Sequence, residues 1–407
     1  MPDFAQKSLI IHEQLRGKIA INSKLPLETV EDLATVYTPG VAAPCEAIAR
    51  NPSKAHDLTI KRNTVAIVTD GSAVLGLGNI GPLAAIPVME GKALLFKTYA
   101  NIDAWPLCLD TQDTDAIVAT VQRIAPVFGG INLEDISAPR CFEIEQRLQN
   151  LNIPVFHDDQ HGTAIVLLAA ILNAAKVVHK NPADLHVVIN GAGAAGIAIA
   201  TLLRCVGFDP STCTPVRDII ICDSQGALHS GRQDLTPQKK ALLTYTNREN
   251  RTGNLHKVLE GADVFIGVSK GNQLDRNAIK QMAPHPIIFA MANPTPEIMP
   301  EDAQAGGAAI VGTGRSDFPN QVNNVLAFPG IFRGALDAAA PHITPRMKIA
   351  AAHALAATVA NPTANKILPS PLDKTIAPLV AKAVCRAAKE ETNSQLTETE
   401  KLGHTPI

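Results

Sequence analysis

The sequence lacks the features that direct proteins to nucleic acid or to anionic membranes, and it lacks a cysteine framework. Lys plus Arg (36) nearly balances Asp plus Glu (38), so the net charge of -2 creates no field that would attract a polyanion. The seven cysteines are scattered and contain no C-x-x-C pair, which argues against structural zinc or a set of disulfides and fits a reducing compartment. We therefore expect the function to lie in a local site.

Long hydrophobic runs are also missing. The longest apolar runs, Ala164 to Leu172 and Ile349 to Ala360, are too short to span a bilayer and are typical of buried helices. The N-terminus has no basic head followed by an apolar core, so it does not resemble a signal peptide. We expect a cytoplasmic protein that engages neither a membrane nor nucleic acid.

The order of predicted helices and strands indicates an α/β protein with two main parts. Residues 1–160 begin helical and continue as an α/β unit built from short strands, and the apolar run Ala93 to Phe96 is one of those predicted strands. In residues 161–335, strands alternate with helical stretches, which predicts a Rossmann-type doubly wound parallel sheet. Residues 336–407 are predicted to form Ala-rich helices that pack back on the first part, with a frayed polar tail from Glu390.

A complete G-x-G-x-x-G pattern lies at the start of the second part. Gly191, Gly193 and Gly196 follow the apolar strand Leu185 to Ile189 and precede an apolar helix. The first glycine permits a tight turn, the second lets backbone amides approach a pyrophosphate, and the third lets the helix pack close to the strand. This context predicts a dinucleotide site.

Asp223 ends the next strand and bears on the choice of dinucleotide. A carboxylate there accepts hydrogen bonds from the ribose hydroxyls and repels a 2′-phosphate, which favours NAD. However, Ser224, Gln225 and His229 leave room to hold a 2′-phosphate, so NADP stays open.

A second match to the glycine pattern occurs at Gly76, Gly78 and Gly81. Pro82 and Pro87 follow it, and prolines at these positions are a poor start to a continuous packed helix. We interpret this match as a loop that shapes the substrate cleft, although the pattern alone also permits a second nucleotide site.

Two acidic clusters follow short strands in the first part. Glu134 and Asp135 form one, and Asp158 and Asp159 form the other. Carboxylates that follow parallel strands meet at one edge of the sheet, and oxygen ligands suit Mg²⁺ or Mn²⁺. A single acidic pair would more often be a solvated surface feature. The spacing of two histidines in the second cluster could bind zinc, but the H-E-x-x-H glutamate is missing.

Several motifs resemble malic enzymes, and especially their short bacterial type, over about residues 37–332. They are Tyr37-Thr38-Pro39-Gly40, Val68-Thr69-Asp70-Gly71, Glu90-Gly91-Lys92, His157-Asp158-Asp159-Gln160-His161-Gly162-Thr163, Ala292-Asn293-Pro294-Thr295-Pro296-Glu297 and Asn323-Asn324.

The resemblance implies oxidative decarboxylation of L-malate with reduction of NAD(P)⁺, and at least a dimer. It also implies roles for individual residues. Catalytic roles fall on Tyr37 and Lys92, substrate binding on Asn293 and Asn324, cofactor binding on Asn293 as well, and metal binding on Glu134, Asp135 and Asp159.

Lys92 could act as a base only if its pKa were lowered by desolvation or nearby positive charge. The apolar run after it and a nearby dication would meet that condition. Without the family context, a surface lysine would be the simpler interpretation. The sequence does not decide which of Lys92 and Tyr37 is the base and which the acid.

One departure from larger relatives concerns a substrate carboxylate. Larger eukaryotic malic enzymes have Glu-Arg after the Thr-Asp-Gly turn, and that arginine binds the carboxylate. Here Ser72 and Ala73 stand in those places, as in the short bacterial type.

Three alternatives stay open at this point. Another NAD(P)-dependent dehydrogenase would need no metal, so the acidic residues argue against it. A lyase that decarboxylates oxaloacetate, or converts malate to lactate, could use the same site without net turnover of dinucleotide. A nucleotide-sensing protein would bind dinucleotide but tolerate loss of Lys92.

Overall fold

The computed structural model describes residues 4–402 except 75, 210 and 212, with side chains described as far as 393. Its first sheet has four parallel strands in the order β2-β1-β3-β4. They are β1 (Thr64–Thr69), β2 (Asp103–Cys108), β3 (Gly130–Leu133) and β4 (Val155–His157).

The second sheet has six strands in the order β10-β9-β8-β5-β6-β7, and all are parallel except β7. The chain starts at the centre and winds outward first to one side and then to the other, which confirms the predicted doubly wound Rossmann-type sheet. The strands are β5 (His186–Asn190), β6 (Asp218–Asp223), β7 (Gly226–Ala227), β8 (Val264–Gly267), β9 (Ile287–Ala290) and β10 (Ile310–Thr313).

Helices flank both sheets. In chain order they are α1 (Phe4–Leu15), α2 (Val30–Val36), α3 (Ala42–Arg50), α4 (Ala55–Leu58), α5 (Pro82–Ala100), α6 (Thr114–Ile124), α7 (Arg140–Leu148), α8 (Asp158–Val177), α9 (Ala194–Leu203), α10 (Pro237–Leu242), α11 (Leu255–Leu259), α12 (Arg276–Lys280), α13 (Pro300–Ala305), α14 (Phe328–Asp337), α15 (Pro345–Ala357) and α16 (Ile376–Leu402).

Helix α8 connects the two sheets and lies in the core. It is long and apolar enough to cross a membrane by length and composition, but 67% of its apolar 18-residue stretch is buried inside the protein. It contacts α9 beside the second sheet and α15 near the C-terminus. Its apolar character therefore matches that of a core helix, as the sequence predicted.

Helix α5 corrects two expectations. The run Ala93 to Phe96 is part of this helix and not of a separate strand, and Pro82 and Pro87 do not prevent the helix from forming. Pro82 occupies the first turn, where its missing N–H costs nothing. Ala85, Met89, Lys92, Ala93, Phe96 and Ala100 are buried at helical spacing. We attribute the tolerance of Pro87 to burial of this apolar face.

An aromatic cluster joins the C-terminal helices to the first sheet. The Phe96 ring in α5 makes edge contacts with Phe328 and Phe332 in α14, at centroid distances of 4.7 and 5.4 Å. Phe332 in turn contacts Phe156 in β4 at 5.9 Å. Helix α16 packs against α14 and also contacts α5.

Helix α16 continues to Leu402, past the expected start of the frayed tail at Glu390, and residues 403–407 of that tail lie outside the described part of the chain. One further expectation was wrong. Cys205 and Cys213 form a disulfide, although the cysteine pattern argued against one. The chain turns back after α9 and brings their Cα atoms to 5.8 Å, within disulfide range. The other five cysteines are free.

Candidate active site

The carboxyl ends of β1, β3 and β4 meet at one edge of the first sheet and bring acidic side chains together. Glu134, Asp135 and Asp159 each offer an oxygen, and these oxygens lie within 4.8 Å of one another. The Asp135 N–H also donates to Oδ2 of Asp159 at 2.8 Å. The structure thus brings together the three residues expected to bind metal.

Mg²⁺ or Mn²⁺ fits this group of side chains. All three donors are carboxylate oxygens, the ligand type that both ions prefer. Glu134 and Asp135 are buried, at 4% and 6% exposure. Burial raises the pKa of Glu134, and carboxylates held this close repel one another unless a cation lies between them.

Lys92 reaches the acidic cluster from α5. Its Nζ lies 2.8 Å from Oε1 of Glu134 and 2.7 Å from Oδ2 of Asp158, and all three side chains are buried. Burial alone would lower the pKa of Lys92, but Asp158 and Glu134 raise it above its ordinary value. The expected lowering of the Lys92 pKa is therefore not produced by the residues around it, which keep the ammonium charged.

Two neighbours of this cluster, Asp158 and Asn132, were not predicted as site residues from the sequence. Asp158 is fully buried, and burial raises its pKa to about 7 despite the adjacent Lys92. The Asn132 amide donates to Oε2 of Glu134 at 2.8 Å and so orients that carboxylate. The Asp-Asp pair was a signal for Asp158, whereas nothing in the sequence distinguishes Asn132.

His157 and His161 do not form a zinc site with one another. Nε2 of His161 lies 2.9 Å from Oε1 of Glu145, a buried acid in α7. The His157 ring is fully buried, and its Nδ1 lies 4.0 Å from Oδ2 of Asp159. The two histidines therefore contact different residues and do not share a metal site. The absence of the H-E-x-x-H glutamate had already argued against zinc.

The glycine pattern of Gly191, Gly193 and Gly196 forms the turn between β5 and the start of α9. Gly191 has φ of +134°, and a Cβ there would lie 2.7 Å from the carbonyl oxygen of Val268. A Cβ on Gly196 would collide with the carbonyl oxygen of Gly191, whereas one on Gly193 would meet nothing within 4 Å. Gly191 and Gly193 line a cleft of about 770 Å³.

Asp223 lies at the far end of the same cleft and is paired with two cations. Arg232 donates to both carboxylate oxygens, at 2.8 and 3.1 Å, and Nζ of Lys239 lies 2.5 Å from Oδ2. Burial would raise the pKa of Asp223, but these partners lower it to about 2. Lys239 also lines the cleft. The negative charge that would repel a 2′-phosphate is therefore largely compensated.

Two family models match the chain in succession. The malic enzyme N-terminal domain matches residues 16–149, and the malic enzyme NAD binding domain matches residues 160–389, more than half of the chain. The chain belongs to the malic enzyme family.

Individual malic enzymes are similar over nearly the whole chain. The bifunctional malic/malolactic enzyme of Bacillus subtilis is 54% identical, with 96% of this chain and 95% of that protein covered. The NADP-dependent malic enzyme of Escherichia coli is 47% identical over 95% of this chain, which spans about half (52%) of that protein. The crystal structure of the NAD-dependent malic enzyme of Thermotoga maritima is 47% identical, with a TM-score of 0.88 and coverage of 93% and 98% of the two chains.

The two asparagines expected to bind malate follow different strands of the second sheet. Asn324 follows β10, and its side chain forms a hydrogen bond with the Asp158 carboxylate at the edge of the first sheet. This hydrogen bond lowers the pKa of Asp158 and so opposes the effect of burial. Asn293 is exposed, and its carbonyl oxygen would lie 2.6 Å from a Cβ on Gly76. The glycine-rich loop at Gly76 therefore borders Asn293, a residue expected to bind malate.

Tyr37 does not join this group within one chain. It follows α2, it is 66% exposed, and its backbone N–H donates to the carbonyl oxygen of Leu33 at 3.0 Å. Lys92, by contrast, is 7% exposed. The structure leaves the expected catalytic tyrosine on the surface of the N-terminal segment.

Glu297 holds the loops that border the dinucleotide cleft. Its buried carboxylate accepts hydrogen bonds from the N–H groups of Ser269 and Ala292, at 3.2 and 3.0 Å. Burial raises its pKa. Because Ser269 follows β8 and Ala292 follows β9, one side chain fixes two strand ends. The sequence motif contained Glu297 but did not reveal this role.

Proposed function

We propose that this malic enzyme catalyses the metal-dependent oxidative decarboxylation of L-malate to pyruvate and CO₂, with reduction of NAD⁺ or NADP⁺. The observation that carries the proposal is the buried contact of Lys92 with Glu134 and Asp158 beside the acids Asp135 and Asp159. A binding protein would have no need for a buried ammonium among several carboxylates, an arrangement that is costly to bury.

The reaction needs a proton to leave the C2 hydroxyl and another to be added at C3. Lys92 holds a proton at Nζ between two carboxylates, and we assign it to proton transfer together with Tyr37. Mg²⁺ or Mn²⁺, held by Glu134, Asp135 and Asp159, would polarise the C2 ketone and stabilise the enolate charge. Asn293 and Asn324 are assigned to malate binding, and Asn293 also to the nicotinamide side of the cleft.

Gly191, Gly193 and Gly196 are assigned to the pyrophosphate and Asp223 to the adenosine ribose. Because Arg232 and Lys239 already compensate the Asp223 charge, we propose that NADP⁺ is accepted as well as NAD⁺. The named relatives include both NAD- and NADP-dependent enzymes.

We propose that the working form is a homodimer or a higher homo-oligomer. None of the helices α1 to α4 has a buried residue, and the segment exposes Ile21 at 77% and Val30 at 84%. Apolar surface of this extent is typical of an interface. A second copy is the occupant that the family implies. Tyr37 lies in this segment, so its catalytic role belongs to the assembled form.

We divide the malic enzyme into a catalytic domain (1–160), a dinucleotide domain (161–335) and C-terminal helices (336–407). The two sheets and the contact of α16 with α5 support this division. We also propose a cytoplasmic location, which the five free cysteines support and the Cys205–Cys213 disulfide does not.

The proposal is tested by mixing purified protein with L-malate and MnCl₂ and adding NAD⁺ or NADP⁺ in parallel. We expect the absorbance of reduced nicotinamide to rise, and EDTA to abolish the rise. Folded protein that binds dinucleotide but reduces neither cofactor would contradict the proposal. The ratio of the initial rates with NADP⁺ and NAD⁺ measures whether the cations beside Asp223 allow the 2′-phosphate of NADP⁺ to bind.

A further inference from the structure

Arg140 has hydrogen-bond donors that the described part of the chain does not use. Arg140 begins α7, and its Nη2 donates to Oδ2 of Asp70 at 2.6 Å and to Oγ of Ser72 at 3.0 Å. Its Nε is buried without a partner, and its Nη1 donates to no described residue. An unused donor in a buried position is unfavourable unless a ligand or water accepts from it.

The guanidinium is fixed beside the acidic cluster. Ser72 Oγ also accepts from the Ser137 N–H at 2.9 Å, and the Ala73 N–H donates to the carbonyl oxygen of Asp135 at 2.9 Å. Asp70 and Ser72 follow β1 at the same edge of the sheet as the acids that follow β3 and β4. Arg140 is therefore linked through Ser72 and its neighbours to Asp135.

The Arg140 side chain is both anchored and accessible. The Asp70 side chain is fully buried, which holds Nη2 in place, while the Arg140 side chain keeps 28% of its surface exposed. Ala73 offers no side-chain donor at this corner of the site. A planar guanidinium with free N–H groups is the side chain best suited to bind a carboxylate.

We infer that Arg140 is a substrate-binding residue whose free N–H groups donate to a carboxylate of malate. The inference rests on the proposed function. Malate is a dianion, and Glu134, Asp135, Asp158 and Asp159 would repel it. Lys92 is already paired with two of these acids, so a second cation is needed for the substrate.

The test compares malate kinetics of Arg140→Gln and Arg140→Lys with those of the wild-type chain, at saturating Mn²⁺. We expect Arg140→Gln to raise KM for malate about 10- to 100-fold, because the charge and its donors are lost. KM for the dinucleotide and the Mn²⁺ requirement should stay within about 2-fold, since Arg140 is neither one of the three proposed metal ligands nor part of the lining of the dinucleotide cleft. Arg140→Lys should restore part of the malate affinity, because it keeps the charge.

Ser72→Ala is the matched control, since it removes one bond to Nη2 but keeps the guanidinium. Its KM for malate should change much less than that of Arg140→Gln. If Arg140→Gln fails to fold, Arg140→Lys carries the test, because it can still pair with Asp70. An unchanged KM for malate in folded Arg140→Gln would overturn the inference. An equal rise in KM for malate and KM for the dinucleotide would also overturn it. A wild-type chain that does not oxidise malate would instead refute the proposed function.

Discussion

Nζ of Lys92 and Oδ2 of Asp158 lie 2.7 Å apart, and both side chains are buried. They come from residues 66 positions apart, one in α5 and the other at the start of α8. A buried ion pair of this kind contributes little net stability compared with apolar packing, so its presence is better explained by chemistry.

The Lys92 ammonium is the group on which activity should depend most. Lys92→Ala is expected to lower kcat about 10³-fold, within the range for loss of a proton-transfer group, while dinucleotide binding persists. Lys97→Ala is the matched control, because Lys97 lies on the same helix but pairs with Asp103 at an exposed position. Steady-state kinetics and fluorescence titration with NADH check both variants. Equal activity of the two would contradict the role of Lys92.

Loss of one acidic ligand should weaken metal binding. Glu134→Gln and Asp159→Asn are each expected to raise the Mn²⁺ concentration needed for half-saturation by at least about 10-fold. Electron paramagnetic resonance of free Mn²⁺ measures this without reference to turnover. Asp115→Asn serves as the control, because Asp115 is 82% exposed and lies outside the cluster. Mn²⁺ binding that is unchanged in the two ligand variants would place the metal elsewhere.

Two glycines of one motif should respond differently to alanine. Gly196→Ala drives a Cβ into the carbonyl oxygen of Gly191, so we expect both a lower melting temperature and loss of dinucleotide binding. A Cβ on Gly193 meets nothing within 4 Å, so Gly193→Ala should keep the melting temperature and weaken only NADH binding. Thermal melts and NADH titrations separate the effects. Normal NADH binding by Gly193→Ala would argue that the pyrophosphate lies elsewhere.

The ion pairs of Asp223 predict how its contribution to stability depends on pH. Its pKa is lowered from 3.8 to about 2, so the stabilisation is fully present above the unfolded pKa and is lost only as pH falls through the folded value. The shift corresponds to at most about 2 kcal/mol. Asp223→Asn should therefore lower the free energy of unfolding by a constant amount between pH 5 and pH 8. Urea titrations across that range test this, and a deficit that shrinks by pH 5 would contradict the assignment.

Much of the site could be predicted from the sequence because its acidic residues directly follow predicted strands. Glu134, Asp135 and Asp159 follow two strands, and the carboxyl ends of parallel strands meet at one edge. The glycine turn before α9 was equally readable, because its spacing is local.

Features that depend on long-range packing were missed. Pro82 and Pro87 weakened the case for α5, yet burial of the helix face beside β1 decides its conformation. The same packing places Lys92 against Asp158 and thereby raises its pKa instead of lowering it. Arg140 gave no signal, because its partners lie in a strand end almost 70 residues earlier.

The central claim is best tested by the stoichiometry of the products. L-malate is converted by the purified chain with Mn²⁺ and limiting NAD⁺ or NADP⁺, and malate, pyruvate, lactate and reduced cofactor are measured at the endpoint. The account predicts equal amounts of pyruvate and reduced cofactor for each malate consumed, and no lactate. Lactate or pyruvate formed without matching reduced cofactor would contradict it and indicate a lyase.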